Sequence, residues 1–119
     1  MELTDRALVL DEPLSLWGGM DPATGLIVDA HHPQRGVSLA GRVVVMASAR
    51  GSSSSASVLA EAVRAGVAPA GFVLGEPDLI LAIGAAVAEE LYGVRVTIVV
   101  DEQWAQIRDG DRVPWASSV

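Results

Sequence analysis

One stretch limits what this chain can fold into: Arg42 to Val67, RVVVMASARGSSSSASVLAEAVRAGV. Arg42 to Ala47 is a continuous apolar, largely β-branched run, which suits a strand buried on both faces as parallel strands are. Ala49-Arg50-Gly51 breaks the run. Four serines, Ser52 to Ser55, then precede a helical stripe of Val58, Leu59, Ala62 and Val63, and Gly66 closes it. The unit is strand, loop, helix. Serines at this place read as helix caps, and the first-turn N–H groups with the helix dipole form an anion site to which Arg50 adds a planar cation. A Ser/Gly loop there can equally be only a cap and connector, and the local pattern leaves both readings open. The spaced Gly-Lys-Ser/Thr ending of a Walker motif is absent, which argues against nucleotide binding.

The flanking sequence supplies further elements. Ala7 to Leu10 reads as a first strand and Leu14 to Trp17 as its continuation after Glu12-Pro13. In WGGMDPATGLIVD, Gly18-Gly19 and Asp21-Pro22 are turn signals, and Gly25 precedes the short apolar run Leu26 to Val28. The paired glycines would let backbone approach a ligand or partner closely, and Asp21 either orients groups across a site or caps its own turn. His31-His32 point to opposite sides of an extended segment and make a poor chelating pair. Phe72 to Leu74 reads as a short buried strand, and Glu76-Pro77-Asp78 opens a helix. Its apolar stripe is Leu79, Ile83, Val87 and Leu91, widened by Ile80, with Glu89 and Glu90 on the far side and Gly93 as the stop. Gly84 inside that helix implies close helix packing. Arg95 to Val100 is a last strand, and Asp109-Gly110 is a turn that brings the tail back to an earlier strand. Trp17, Trp104 and Trp115 read as packing or interface anchors.

The order ββ and then βαβαβ gives an α/β fold, a mainly parallel sheet flanked by two main helices, in one domain spanning residues 1–119. In such sheets ligands bind where the βα loops leave the carboxyl ends of the strands, which is where the Arg50 loop falls. The formal charge is −7 and no lysine is present, so nothing here resembles a nucleic-acid surface. Cysteine is absent, which excludes disulfides and thiolate ligation of a metal by this chain. No stretch is long and apolar enough for a membrane span, and the first residues, with acids among the apolar ones, do not read as a signal peptide. The cytoplasm is the expected compartment.

Several segments together resemble one family. Leu16-Trp17-Gly18-Gly19-Met20-Asp21, Thr24-Gly25, Asp29 with His32-Pro33, Arg50-Gly51-Ser52-Ser53, Ala68-Pro69-Ala70 and IGAAVAEELYG from Ile83 to Gly93 are similar in order and spacing to the small subunit, or swivel domain, of the aconitase X family. The resemblance covers roughly Leu8 to Val100. It implies a swivelling β/β/α domain that closes over a large catalytic subunit, which holds iron or an iron–sulfur cluster. The pair is then a lyase, a dehydratase of a small hydroxy acid, and this chain binds no metal itself. Family members act on cis-3-hydroxy-L-proline in bacteria and on phosphomevalonate in archaea. The Arg-Gly-Ser form of the loop resembles the bacterial group and so points to a hydroxyproline-type substrate. The resemblance also implies that Ser52 is the proton acceptor. Arg50, Gly51, Ser53, Ser54, Gly18, Gly19 and Asp21 are then the candidates for holding substrate. The family loop commonly continues to Gly-Ser where this chain has Ser55-Ala56.

The chemistry of the residues agrees with that division of labour. Dehydration needs a base for the proton and an acid for the departing hydroxyl. A serine becomes a base only if its alkoxide is stabilised, and Arg50 with a helix N-terminus can do that. A stand-alone anion-binding regulatory module, using the same helix end without catalysis, is the alternative from a different functional class.

Overall fold

The computed structural model describes residues 6–51 and 53–113. Four strands, β1 (Ala7–Val9), β2 (Val43–Met46), β3 (Gly71–Leu74) and β4 (Thr97–Val100), form a parallel sheet in the order β1-β2-β3-β4. A single distorted turn, α1 (Leu16–Gly19), lies between β1 and β2, and the long helices α2 (Ser54–Ala65) and α3 (Leu79–Tyr92) follow β2 and β3. The continuous apolar run became the central strand, as its composition requires: Val43, Val44, Val45 and Met46 have no exposed surface.

Alternation along the strands sorts their side chains between two layers. Leu8, Val44, Met46, Phe72 and Leu74 face the helices and pack with Leu59, Ala62 and Val63 of α2 and Leu81, Ala85 and Ala88 of α3. Ala7, Val43, Val45 and Val73 face the other way, where the returning tail covers them with Trp104, Ile107 and Val113. That tail is tied to the outer edge of β1. The Ala7 N–H donates to the Asp111 carbonyl at 2.8 Å and the Gly110 N–H to the Ala7 carbonyl at 2.8 Å. Arg6 and Arg112 bridge antiparallel. The Asp109-Gly110 turn therefore does what the sequence implies, and Trp104 is a packing residue. Trp115 lies outside the described residues.

Three expectations need correction. Leu14 to Trp17 does not extend the first strand: beyond one parallel bridge between Ser15 and Arg50, the segment is irregular and carries the α1 turn. Leu14 and Leu16 mimic strand alternation but are pegs of an irregular segment, each 1% exposed in the core. Second, Ser53, at the cap position of α2, does not cap it, because its backbone is itself helical and its hydroxyl makes no capping bond. Asp78 does cap α3, with its carboxylate accepting the Leu81 N–H at 2.8 Å.

The third correction concerns α3. The stripe of Leu79, Ile83, Val87 and Leu91 faces outward, while the sheet and α2 are met by Leu81, Gly84, Ala85 and Ala88. Helix-to-helix closeness is the cause. A Cβ placed on Gly84 would stand 3.0 Å from both the Cα and the carbonyl oxygen of Ala56, so only small residues fit the α2-facing side. Gly84 thus has the packing role that its position mid-helix implies.

A bulky, β-branched side chain at this contact must push two helices apart. Gly84→Val should cost about 1–3 kcal/mol as overpacking. Ala86→Val, on the outward side of the same helix, should stay within about 0.5 kcal/mol. Chemical denaturation of the two variants checks this, and equal losses would mean that the α2–α3 contact is looser than described.

Candidate functional site

The carboxyl ends of β2 and β3 deliver two βα loops to the same edge of the sheet, where α2 and α3 begin. Arg50 and Gly51 leave β2 and are held by the irregular segment before β2. The Arg50 N–H donates to the Leu14 carbonyl at 3.3 Å, next to the Ser15–Arg50 bridge. Gly51 is required by close approach, since a Cβ there would fall 2.9 Å from the Ser55 hydroxyl and 3.3 Å from that of Ser15. Ser55, only 3% exposed, accepts the Trp17 N–H at 3.2 Å, and the Ser15 hydroxyl donates to the Trp17 carbonyl at 3.0 Å. One buried hydroxyl in the first turn of α2 therefore fixes the Trp17-Gly18-Gly19 turn against the Arg50-Gly51 loop.

A small, open hollow lies beside this junction, lined by Ala49, Arg50, Gly51, Ser55, Asp78, Ile80 and Leu81. The lining thus comes from the loop after β2, the first turn of α2 and the start of α3. Two helix N-termini and one guanidinium meet here, and each favours an anion. Arg50 is exposed, and among the described residues no hydrogen bond or ion pair engages its guanidinium. Asp78 brings a carboxylate to the same wall, but one of its oxygens is committed to the α3 cap. The exposed Glu61–Arg64 pair is on α2 away from this wall; there the guanidinium's hydrogen bond holds the Glu61 carboxyl below its usual range. The hollow encloses about 10 Å³, room for little more than one water molecule and far below the ~300 Å³ of a small ligand pocket, so on its own it does not enclose a metabolite.

The structure brings several of the sequence-derived candidates together. Arg50 and Gly51 line the hollow, Ser53 and Ser54 stand at the start of α2, and Gly18 and Gly19 adjoin the loop through Trp17. Gly18 is exposed with φ +80 and nothing above it, whereas Gly19 is buried under the Leu14 side chain. Ser52 lies outside the described residues. Asp21 behaves as a turn residue: its Oδ1 accepts the Ala23 N–H at 2.8 Å, and its carbonyl accepts from Thr24 and Gly25. His32 is buried, with Nδ1 accepting the Gln34 N–H at 3.1 Å and Nε2 facing the Glu12 carbonyl at 3.0 Å. That pairing assigns the ring proton to Nε2 and leaves no lone pair for a metal.

Ser55, Ser15 and Ile80 escaped the sequence reading. Ser55 looked like one more loop serine, although its place one turn before Leu59 puts it on the buried stripe of α2. Asp78 was read only as a helix start. Its part in the wall follows from β2 and β3 being neighbours, which brings their βα loops side by side.

The family model described as the aconitase X swivel domain matches residues 2–118. Among curated proteins, cis-3-hydroxy-L-proline dehydratase of Pseudomonas aeruginosa is 45% identical over 106 residues, covering 82% of this chain and 18% of that protein. The phosphomevalonate dehydratase small subunit of Thermococcus gammatolerans is 33% identical over 114 residues, 87% of each chain. This chain therefore spans under a fifth of the first relative and most of the second. Among solved structures, the holo form of Thermococcus kodakaraensis aconitase X superposes with a TM-score of 0.78 at 29% identity, covering 89% of this chain and 76% of that one. Fold, motif order and profile agree: the chain belongs to the aconitase X swivel domain family.

Proposed function

We propose that this chain is the swivel component of a two-part hydro-lyase that dehydrates a small 3-hydroxy acid, with cis-3-hydroxy-L-proline favoured over phosphomevalonate. The observation that carries this reading is the half-pocket in which Arg50 and the N-termini of α2 and α3 converge. Removal of a proton beside a carboxylate is opposed by the negative charge already there, and a guanidinium with two helix dipoles offsets that charge. Ser52, directly after Gly51, is the proposed proton acceptor, its alkoxide stabilised by the same groups. Gly51, which lines the hollow, and Ser53, Ser54, Gly18 and Gly19 nearby are the proposed substrate contacts of this chain. Asp21 serves chiefly to hold the turn that carries Gly18 and Gly19.

The choice of substrate has two supports. The Pseudomonas aeruginosa relative is the more similar of the two described above. Among the described residues the hollow offers one cation, Arg50, which matches one carboxylate, whereas a phosphorylated acid would call for more.

Iron chemistry does not fit this chain's own residues. It has no cysteine, both His32 nitrogens are occupied, and among the described residues no three His, Asp or Glu side chains gather as ligands. In this reading the iron or iron–sulfur centre belongs to the large subunit.

The role of Ser52 is tested at one atom. In the complex reconstituted with its large subunit, Ser52→Ala should lower kcat by roughly 10² to 10⁴-fold with little change in KM. Ser53→Ala, which removes a neighbouring hydroxyl that makes no capping bond, should leave kcat nearly unchanged, with any effect falling on KM. Small, similar effects at both positions would retire the serine base. Arg50→Gln should instead act on binding, raising KM for cis-3-hydroxy-L-proline about 10- to 100-fold. A KM unmoved by that change would remove the carboxylate from Arg50.

A further inference from the structure

The first ten residues of α3, Leu79 to Ala88, are Leu, Ile, Val, Ala and Gly throughout, with no polar side chain on any face. A helix apolar on all sides is a buried helix. Only one side of α3 is buried within this chain. On the other, Leu79 is 74% exposed, Ile83 48%, Val87 41% and Leu91 63%, with Ala82 and Ala86 between them. Tyr92, in the last turn of α3, and Val94, just after it, are exposed as well. A surface helix of a self-sufficient domain would carry charge there, as α2 does at Glu61 and Arg64.

We propose that the outward face of α3 is the docking surface for the large dehydratase subunit, an inference that rests on the two-part reading above. The covered shares of the relatives identify the occupant. In the Pseudomonas aeruginosa protein, 18% of the polypeptide corresponds to this chain, so the remaining four-fifths of that sequence is joined to it covalently. In the Thermococcus gammatolerans small subunit, 87% of the polypeptide corresponds, so there the equivalent body is separate. Fused or separate, the larger body needs a surface on the swivel domain to seat against.

Position supports the same face. Ile80 and Leu81 line the hollow while Leu79 and Ile83, one position before and two after, point outward from the same turns. A body seated on Leu79 and Ile83 stands at the rim of the half-pocket and supplies its missing wall. Glu76 and Glu90 are exposed at the two ends of the patch, so the partner surface should be apolar at its centre with arginine or lysine at its margin.

The test uses the full chain and the polypeptide from the same genome that matches the uncovered four-fifths of the Pseudomonas aeruginosa relative. Ile83→Glu and Val87→Glu, both at exposed positions, should leave the circular dichroism spectrum and melting temperature of the isolated chain unchanged. The double variant should bind the large polypeptide at least about 30-fold more weakly, the scale of losing central interface anchors. Ser52→Ala should bind like the wild type. If the wild type binds the large polypeptide and the double variant binds it equally well, the α3 face is the wrong surface while the two-part reading stands. If the wild type itself does not bind, the two-part reading fails. If the wild type alone is a dimer that the double variant converts to monomer, the face joins two copies of this chain and the proposal is overturned.

Discussion

The contact between Gly84 and the backbone of Ala56 governs much of this structure. It holds α2 and α3 together near their N-terminal ends, at a distance that admits no side chain on α3 beyond hydrogen. Both functional features of the chain descend from it. The helix starts stand side by side, so Asp78, Ile80 and Leu81 of one meet Arg50, Gly51 and Ser55 of the other in one hollow. The interhelical side is filled with Gly84, Ala85 and Ala88, so the larger residues of α3 are turned to the outside.

The site depends on the irregular segment as much as on the helices. Residues 14–19 interrupt what would otherwise be a plain βαβ arrangement. They tie down the Arg50 loop and the helix that follows it: the Arg50 N–H donates to the Leu14 carbonyl and the Trp17 N–H to the Ser55 hydroxyl, while the Ser15 hydroxyl donates back to the Trp17 carbonyl within the segment. Ser55, buried in the first turn of α2, is the point where the segment meets that helix. Trp17, whose backbone makes the bond to Ser55, is left 57% exposed.

The parallel sheet was legible in the sequence because its signal is strong and local: short uninterrupted apolar runs at Val43, Phe72 and Thr97, rich in β-branched residues at the first and last. The helix ends were legible for the same reason at Gly66, Asp78 and Gly93. Leu14 to Trp17 was not, because two leucines spaced by one residue satisfy strand alternation whether they sit on a ladder or peg a loop into the core. The orientation of α3 was not legible either. A stripe of large residues and a stripe of small ones share the helix, and hydrophobicity alone prefers the large one inside. Close packing reversed that preference, and the glycine at position 84 was the clue to it. Arg50-Gly51 stood out within the candidate site, whereas Ser55 and Asp78 became part of it only through tertiary neighbours.

The account as a whole holds that this chain carries half of a site, which a larger polypeptide completes. Isothermal titration calorimetry with cis-3-hydroxy-L-proline measures this most directly, performed on the isolated chain and on its complex with the large polypeptide inactivated by Ser52→Ala. The account predicts no detectable heat of binding to the isolated chain and saturable one-to-one binding to the complex. Equally tight binding of the hydroxy acid by the isolated chain would contradict it and make the chain a self-sufficient anion-binding module.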